Sequence, residues 1–310
     1  MSERRRKLFF QRWRRRIRVP LLRGILQLCA GLPLPLSHAF GALLGRLFYL
    51  FPNELRYVAR CNLAVCLPQL SAAQRERLTR ATLVESGKFF AEVGRVWLGT
   101  RKQFDAMVRQ VHGEAHLQAA LAQRKGVFIV APHQGSWEVL GLYLSTRHPM
   151  TSMYRPPPIA ALDDVVRASR QRFGATLVPT DVSGVRKLMA ALKENQLIGI
   201  LPDQDPGPQA GEFAPFFGVA ANTMTLFTRL AQKTQAPALL CHAERLPRGQ
   251  GFDIWLQPMS DAVAAQDATV ALTALNAAVA ALAEQRPTQY LWVYRRFRTR
   301  PPGAADIYQQ

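Results

Sequence analysis

Acidic residues and cysteines are scarce in this sequence. Its 310 residues include 21 Asp and Glu but 40 Lys and Arg, which gives a formal net charge of +19 at pH 7. This imbalance points to an anionic partner such as nucleic acid, anionic lipid or an acidic protein. The four cysteines are sparse and form no CxxC pair, so we expect neither a disulfide scaffold nor a structural zinc site. We expect no other metal and no cofactor.

A long uninterrupted apolar helix is also missing from the N-terminal part of the chain. Between Arg23 and Arg46 there are 22 residues without Lys, Arg, Asp or Glu, a length that just spans a hydrocarbon core of about 30 Å. Pro33 and Pro35 lie in its middle and predict two short halves instead of one plain spanning helix. We interpret this segment as a membrane anchor, either one span or a broken interfacial hairpin. The alternative is a pair of buried core helices.

The first 23 residues carry ten basic residues and one acid, interrupted by aromatic residues such as Phe9, Phe10 and Trp13. This mixture is typical of a basic amphipathic helix at an anionic membrane surface. The arginine-rich flank predicts that this end lies in the cytoplasm. A solvated tail is the alternative. A nucleic-acid-binding arm rarely contains so many aromatic residues, so we expect no nucleic-acid partner.

The rest of the chain has the pattern of an α/β protein. Ser71 and Gln74 form a predicted capping box that begins a long amphipathic helix ending near Trp97. Short apolar runs then alternate with helical patterns, which indicates a mixed, mostly parallel sheet covered by helices. The predicted strands are 126–131, 150–154, 175–179, 196–201, 236–243 and 252–257, and the predicted helices are 137–146, 161–173, 184–193, 223–234 and 266–284. We therefore divide the chain into an N-terminal membrane-anchoring helical region, 1–70, and an α/β domain, 71–310.

A candidate site follows the first predicted strand, in the sequence PHQGSWE. Ligands of α/β sheets bind at the carboxyl ends of strands, and His133 stands where this strand would stop. Glu138 falls in the first turn of the following helix, from which its carboxylate is expected to return to a ring nitrogen of His133. Such a pair fixes the tautomer of the ring and stabilises it after it takes a proton. No GxSxG nucleophile motif is present, so direct transfer to a substrate hydroxyl fits better than a covalent intermediate.

Five motifs occur in an order that resembles a known family. They read APHQGSWE, YRPPP, LPDQDPG, FAPFFG and YLWVYRRFRTRPPG, and RCNLAVCLPQLSAAQR precedes them. This set resembles the late acyltransferases of lipid A biosynthesis, the lauroyl and myristoyl transferases, which are related to other H-x4-D/E acyltransferases. The resemblance implies that His133 is a general base and Glu138 its partner. It also implies a fatty acyl donor on acyl carrier protein, a lipid A precursor as acceptor, and a place on the cytoplasmic face of the inner membrane.

Several arginines are further candidates. The attack on a thioester creates an oxyanion that needs a positive charge, and the resemblance assigns this role to Arg170 or Arg172, with the spacing favouring Arg170. Guanidinium groups also bind phosphates and carboxylates in a bidentate manner. We assign substrate binding to Arg155, Arg172, Arg295 and Arg296, toward sugar phosphates or an acidic carrier protein. The alternative for Arg170 and Arg172 is a solvated helix face, and the alternative for the other arginines is non-specific attraction to the membrane.

Asp203 and Asp205 in the LPDQDPG motif are candidate substrate-site residues that shape the loop next to His133 or bind an arginine. Two carboxylates in such a loop are not by themselves a metal site. We expect Phe213, Phe216 and Phe217 of FAPFFG to line an acyl tunnel or the core. Several relatives carry more apolar residues between the His and the Glu than HQGSWE does, so an O-acyltransferase of lysophospholipids or other glycolipids with the same pair of residues is the alternative function.

Overall fold

The computed structural model describes residues 20, 22–156 and 163–309. The basic amphipathic helix predicted for residues 1–23 therefore lies almost entirely outside the described residues.

The centre of the fold is a seven-stranded sheet with the order β1-β9-β8-β2-β5-β3-β4. The strands β2, β3, β4, β5 and β8 are parallel to one another, whereas β9 pairs antiparallel with β8 and β1 pairs parallel with β9. The strand bounds are β1 Val108–His112, β2 Val127–Val130, β3 Met150–Tyr154, β4 Ala175–Pro179, β5 Leu197–Ile200, β8 Ala238–Arg245 and β9 Phe252–Pro258. A separate antiparallel hairpin consists of β6 Gly211–Phe216 and β7 Val219–Met224.

Helices cover both faces of this sheet. Their bounds are α1 22–31, α2 Leu34–Leu50, α3 Glu54–Cys66, α4 Ala72–Leu98, α5 Arg101–Asp105, α6 Glu114–Ala122, α7 Trp137–Ser145, α8 Asp163–Gln171, α9 Val182–Lys193, α10 Leu226–Thr234 and α11 Ala268–Gln285. Strand β2 is buried along its whole length. Its alternate side chains enter two separate apolar cores, Phe128 and Val130 on one face, Val127 and Ile129 on the other, as the two-residue period of a strand requires.

The predicted α/β architecture is confirmed, and each predicted strand and helix of the domain is present with its ends shifted by at most a few residues. The capping box of Ser71 and Gln74 is formed at the start of α4, which ends at Leu98. The sequence pattern missed β1 and the β6–β7 hairpin. Strand β1, with the sequence VRQVH, is a partly exposed edge strand without clean alternation, and the hairpin contains Pro215, which demotes a strand prediction.

The apolar segment between Arg23 and Arg46 forms two helices, α1 and α2, and the predicted break at Pro33 is confirmed. One side of α2 packs directly on α4. A Cβ atom on Gly87 of α4 would collide with the carbonyl oxygen of Gly41 and lie 2.9 Å from the nitrogen of Gly45. This near approach of two backbones leaves no room for larger side chains at these positions.

The other side of α1 and α2 is apolar and exposed. Nine of the fourteen large hydrophobic residues described as exposed lie between Ile25 and Phe51. Among the described residues, one helix, α11, is long and apolar enough to cross a membrane, and much of it packs in the core; α2 and α3 pass that test only together, as a pair bent by 81°. One face of the N-terminal helices thus packs on the rest of the protein, and the other face is apolar and exposed.

Candidate active site

His133 lies just beyond the carboxyl end of β2, next to the carboxyl end of the parallel strand β5. Asp203 follows β5, so the pairing of the two strands brings both side chains together. The Nδ1 atom of His133 lies 2.7 Å from Oδ1 of Asp203, and the backbone N–H of His133 donates to Oδ2 at 2.8 Å. One carboxylate therefore holds both the ring and the backbone of His133.

The electrostatics of Asp203 fix the proton positions on this histidine. Burial alone would raise the pKa of Asp203, but the His133 ring and the N–H donors around the carboxylate lower it below its ordinary value. Because Asp203 is ionised, Nδ1 of His133 carries the proton and donates it. In the neutral ring, Nε2 is then the nitrogen without a proton, and the side-chain amide nitrogen of Gln204 lies 3.2 Å from it as a donor. This is the tautomer that a general base requires.

The expectation that Glu138 bonds to His133 was wrong. Glu138 is buried in the first turn of α7, and its carboxylate accepts hydrogen bonds from Nε of Arg170 at 3.2 Å, from Nη2 of the same residue, and from Nε1 of Trp97 at 3.1 Å. Burial alone would raise the pKa of Glu138, but Arg170, Trp97 and the nearby His133 ring lower it. Glu138 is therefore an ionised carboxylate that holds Arg170. The position beside His133 that we expected for Glu138 is occupied by Asp203.

The turn that carries His133 is fixed by backbone contacts. Gly135 has φ +62°, and a Cβ at this position would collide with the carbonyl oxygen of Ala243, so the turn requires glycine. The N–H of Gly135 donates to Gln289 O at 3.0 Å, and the N–H of Leu291 donates to His133 O at 3.1 Å. The segment around residue 290 thus holds the backbone of this turn in place.

A cavity of about 350 Å³ opens in front of these residues. His133, Glu138, Arg170 and Gln204 form its polar end. Most of the remaining wall is apolar and comes from β2, β3, β5 and α7, with Leu140, Leu142, Met150, Met153 and Leu177 among the lining residues. A polar end with an available base nitrogen and an apolar wall suits a substrate with a reacting polar group and a hydrocarbon chain.

The other predicted site residues are divided between the cavity and the protein interior. Arg155 and Asp205 line the cavity, and Asp205 shapes its loop by accepting from the backbone N–H groups of Gly207 and Thr299 at 2.8 and 2.7 Å. Burial alone would raise the pKa of Asp205, but these donors lower it.

Three predicted substrate arginines are engaged elsewhere. Arg172 donates to the carbonyl oxygens of Val96 and Gly99 at the end of α4, at 2.9 and 2.7 Å. Arg296 is buried and donates to Asn222 O at 2.6 Å. Arg295 pairs with Glu54 and lies over the ring of Tyr308. Each guanidinium contacts backbone or side-chain groups outside the cavity, and none of the three residues lines the cavity.

The phenylalanines of FAPFFG are not lining residues of this cavity. Phe216 is buried in the core, Phe217 packs near Trp292 with ring centroids 5.7 Å apart, and Phe213 is exposed. The core alternative is therefore correct for Phe216.

Sequence reasoning missed three contributions to the site. Gln204 contacts the base nitrogen, Trp97 contacts Glu138, and Trp137 places its ring edge-to-face with His133 at 4.7 Å. Gln204 and Trp137 had a detectable signal, because they stand inside the motifs LPDQDPG and PHQGSWE. Within residues 20, 22–156 and 163–309, no cluster of three or more His, Cys, Asp or Glu side chains is arranged to hold a metal ion.

Comparison with known proteins identifies the class of this site. The profile of the bacterial lipid A biosynthesis acyltransferase family matches residues 11–299. The chain is 30% identical over 290 residues to the lipid A biosynthesis palmitoleoyltransferase of Escherichia coli (strain K12), with 92% of each chain covered. It is 27% identical over 286 residues to the lauroyltransferase of the same organism, again with 92% coverage of each chain, and 25% identical over 278 residues to its myristoyltransferase, with 87% and 83% coverage.

The family match and these relatives identify the chain, with its α/β fold and its apolar-walled cavity at His133, as an acyltransferase enzyme. The chain belongs to the bacterial lipid A biosynthesis acyltransferase family.

Proposed function

We propose that this protein transfers a fatty acyl chain from acyl carrier protein to the hydroxyl of a 3-hydroxyacyl chain on a lipid A precursor. The observation that carries this proposal is the contact of Asp203 with Nδ1 of His133, which leaves Nε2 to act as the base in a largely apolar-walled cavity. The names of the relatives support lipid A as the acceptor class. The basic composition supports an acidic carrier protein and an anionic membrane surface as partners.

In the proposed reaction, Nε2 of His133 takes the proton of the acceptor hydroxyl while the oxygen attacks the thioester carbon. Asp203 stabilises the imidazolium that forms. The carbon–sulfur bond then breaks, and the proton on Nε2 passes to the leaving thiolate. The amide of Gln204 occupies the base nitrogen in the free protein and must yield this position to the hydroxyl.

Arg170 is the proposed partner of the oxyanion that develops on the thioester. Glu138 holds its Nε and Nη2 atoms, and among the described residues Nη1 has no hydrogen-bond partner. A fixed guanidinium at the cavity wall stabilises the developing charge without moving during the reaction. Glu138 is thus a positioning residue for Arg170, and Arg155 is the candidate for contact with the acceptor or the carrier protein.

The proposed location is the cytoplasmic face of the cell inner membrane. The exposed apolar face of α1 and α2 supports an interfacial mode of anchoring, since half-exposed leucines and phenylalanines on one side of a helix gain free energy when they enter a bilayer. We accordingly propose residues 1–70 as the anchoring region and 71–310 as the acyltransferase domain.

A transfer assay tests the function. Detergent-solubilised protein receives acyl carrier proteins with chains of several lengths and two competing acceptors, a lipid A precursor and a lysophospholipid, and products are identified by mass spectrometry. We expect a mass gain on the lipid A precursor. His133→Ala should lower the rate by on the order of 10²–10⁴-fold, the usual contribution of a general base.

The control variant is His116→Ala, which removes an exposed histidine of α6 and should keep the wild-type rate. A mass gain only on the lysophospholipid would contradict the proposed acceptor, but it would leave the proposed proton transfer by His133 unchanged. Full activity of His133→Ala would refute the proposed mechanism.

A further inference from the structure

A second concavity opens at the same edge of the sheet as His133. Strand β8 is parallel to β2 and ends at this edge, and β9 and β1 begin there because they run in the opposite direction. The concavity has a volume of about 600 Å³. We call it the arginine basin and define it by its polar residues Arg95, Gln103, Arg109, Gln110, Gln250 and Asp253.

The two arginines present unsatisfied donors to this basin. Arg95 of α4 donates from Nη1 to Leu32 O at 2.7 Å, which orients its guanidinium, and its Nε is buried without a hydrogen-bond partner. Arg109 of β1 is exposed, and it has no acidic partner among the described residues. Two cations on different elements therefore line one concavity, and neither forms an ion pair with an acidic side chain of the described residues.

Asp253 adds an unsatisfied acceptor. Its Oδ1 is buried without a partner, and its Oδ2 lies 3.7 Å from Nε2 of His112, too far for a good hydrogen bond. Guanidinium groups bind phosphate oxygens, whereas side-chain amides and a carboxylate bind hydroxyl and amino groups. The donor and acceptor set of the basin therefore fits a phosphorylated sugar.

The basin and the cavity at His133 lie close enough together for one ligand to reach both. Strand β9 is two strands from β2, which corresponds to about 10 Å at the usual strand spacing. The end of α4 separates the two spaces, since Arg95 lines the basin and Trp97 bonds to Glu138.

The basin also borders the apolar N-terminal helices. Leu34 of α2 is one of its lining residues, and Gly249 packs so tightly against Pro35 that a Cβ would lie 2.6 Å from the proline nitrogen. A polar group in the basin is thus next to the surface through which an amphiphile would arrive.

We propose that the arginine basin binds the phosphorylated sugar head group of the acceptor lipid while the reacting chain enters the cavity at His133. This inference rests on the proposed function for the identity of the acceptor, but the basin itself can be tested without catalysis. It assigns Arg109 and Arg95 to contacts with phosphate and Asp253 to a contact with a sugar hydroxyl or amino group.

The kinetic test compares Arg109→Gln with Arg124→Gln. Both changes remove one positive charge from an exposed arginine, and Arg124 precedes β2 at the opposite edge of the sheet. Loss of a charged hydrogen bond should raise the KM for the lipid A precursor by on the order of tenfold with Arg109→Gln. We expect kcat to stay within about twofold, because the interaction is the same in the ground state and the transition state. An equal rise in KM with Arg124→Gln would overturn the inference in favour of general electrostatic attraction.

The binding test uses glucosamine 6-phosphate and unphosphorylated glucosamine as probes of the full-length protein in detergent, followed by saturation-transfer NMR. The phosphorylated sugar should bind, and Arg109→Gln and Arg95→Lys should weaken it while Arg124→Gln leaves it unchanged. Equal signals for both sugars, or no effect of the basin variants, would refute the head-group site even if the transfer assay succeeds. Binding that depends on Arg109 in a protein without transferase activity would preserve the site and refute the proposed reaction instead.

Discussion

The side chain of His133 takes its orientation from a residue that lies 70 positions further along the chain. Asp203 contacts both the ring and the backbone of His133, and it is buried where its charge is least screened. This contact determines which nitrogen can accept a proton. The nearby Glu138 has a different task, because its two oxygens are occupied by Arg170 and Trp97.

Asp203→Asn tests this division of roles. An asparagine has nearly the same shape but no negative charge, so it can no longer stabilise the imidazolium and can favour the wrong tautomer. We expect kcat to fall on the order of 10²–10³-fold, with a much smaller change in the KM of either substrate. The control is Asp261→Asn, an exposed residue in a short turn. If both variants kept the wild-type kcat, Asp203 would have no role in the proton transfer.

The two halves of the site differ in how far they could be predicted from the sequence. His133 and Glu138 were found because they lie five residues apart at a predicted strand end and belong to an ordered set of motifs that resembles a known family. The partner of His133 could not be found in this way, because it depends on β2 and β5 being neighbours in the sheet. Trp97 joins the site from α4, which the sequence places 41 residues away from Glu138, and no local pattern connects the two.

At the level of secondary-structure elements, contact between α2 and α4 depends on glycine. Gly41 and Gly45 of α2 face Gly87 of α4. The two backbones are so close that a Cβ atom at these positions would collide with the opposite helix. Helix α4 in turn provides Trp97 to the site. The uncharged stretch between Arg23 and Arg46 suggested a membrane anchor, but it could not show that one face of α2 is needed for this packing.

Gly87→Ala should therefore lower the free energy of unfolding, by roughly 1–3 kcal/mol, because the added methyl group must force the two helices apart. The matched control is Gly141→Ala in α7, where a Cβ would have no neighbour within 4 Å. There the change should stabilise the protein by up to about 1 kcal/mol, since alanine favours helix more than glycine does. Denaturant unfolding of both variants distinguishes the cases, and a stabilising effect of Gly87→Ala would contradict the close packing.

For the molecule as a whole, a buried ionic cluster links the apolar helices to the turn that carries His133. Glu92 of α4 bonds to His38 of α2 at 2.8 Å and to Arg245 of β8 at 2.6 Å, and Nη2 of Arg245 reaches the carbonyl oxygen of Gly135 at 3.4 Å. Burial alone would raise the pKa of Glu92, but Arg245 and His38 lower it, so it stays ionised. Because removal of one partner from a buried ion pair leaves an uncompensated charge, this cluster fixes the position of α2 relative to the turn that carries His133.

If the protein lies at the inner membrane as proposed, the apolar face of α1 and α2 is expected to orient the whole enzyme there. The double variant Leu43→Glu with Leu47→Glu places two charges on the exposed side of α2, where both leucines are roughly half exposed. Each leucine loses on the order of 1 kcal/mol of burial in the bilayer, and the new carboxylates are repelled by anionic lipid. We expect binding to anionic vesicles to weaken by more than about tenfold in a flotation assay. The control is Val182→Glu with Val270→Glu, which adds the same charge to exposed valines elsewhere; equal losses for the two pairs would show that net charge, and not this face, determines membrane binding.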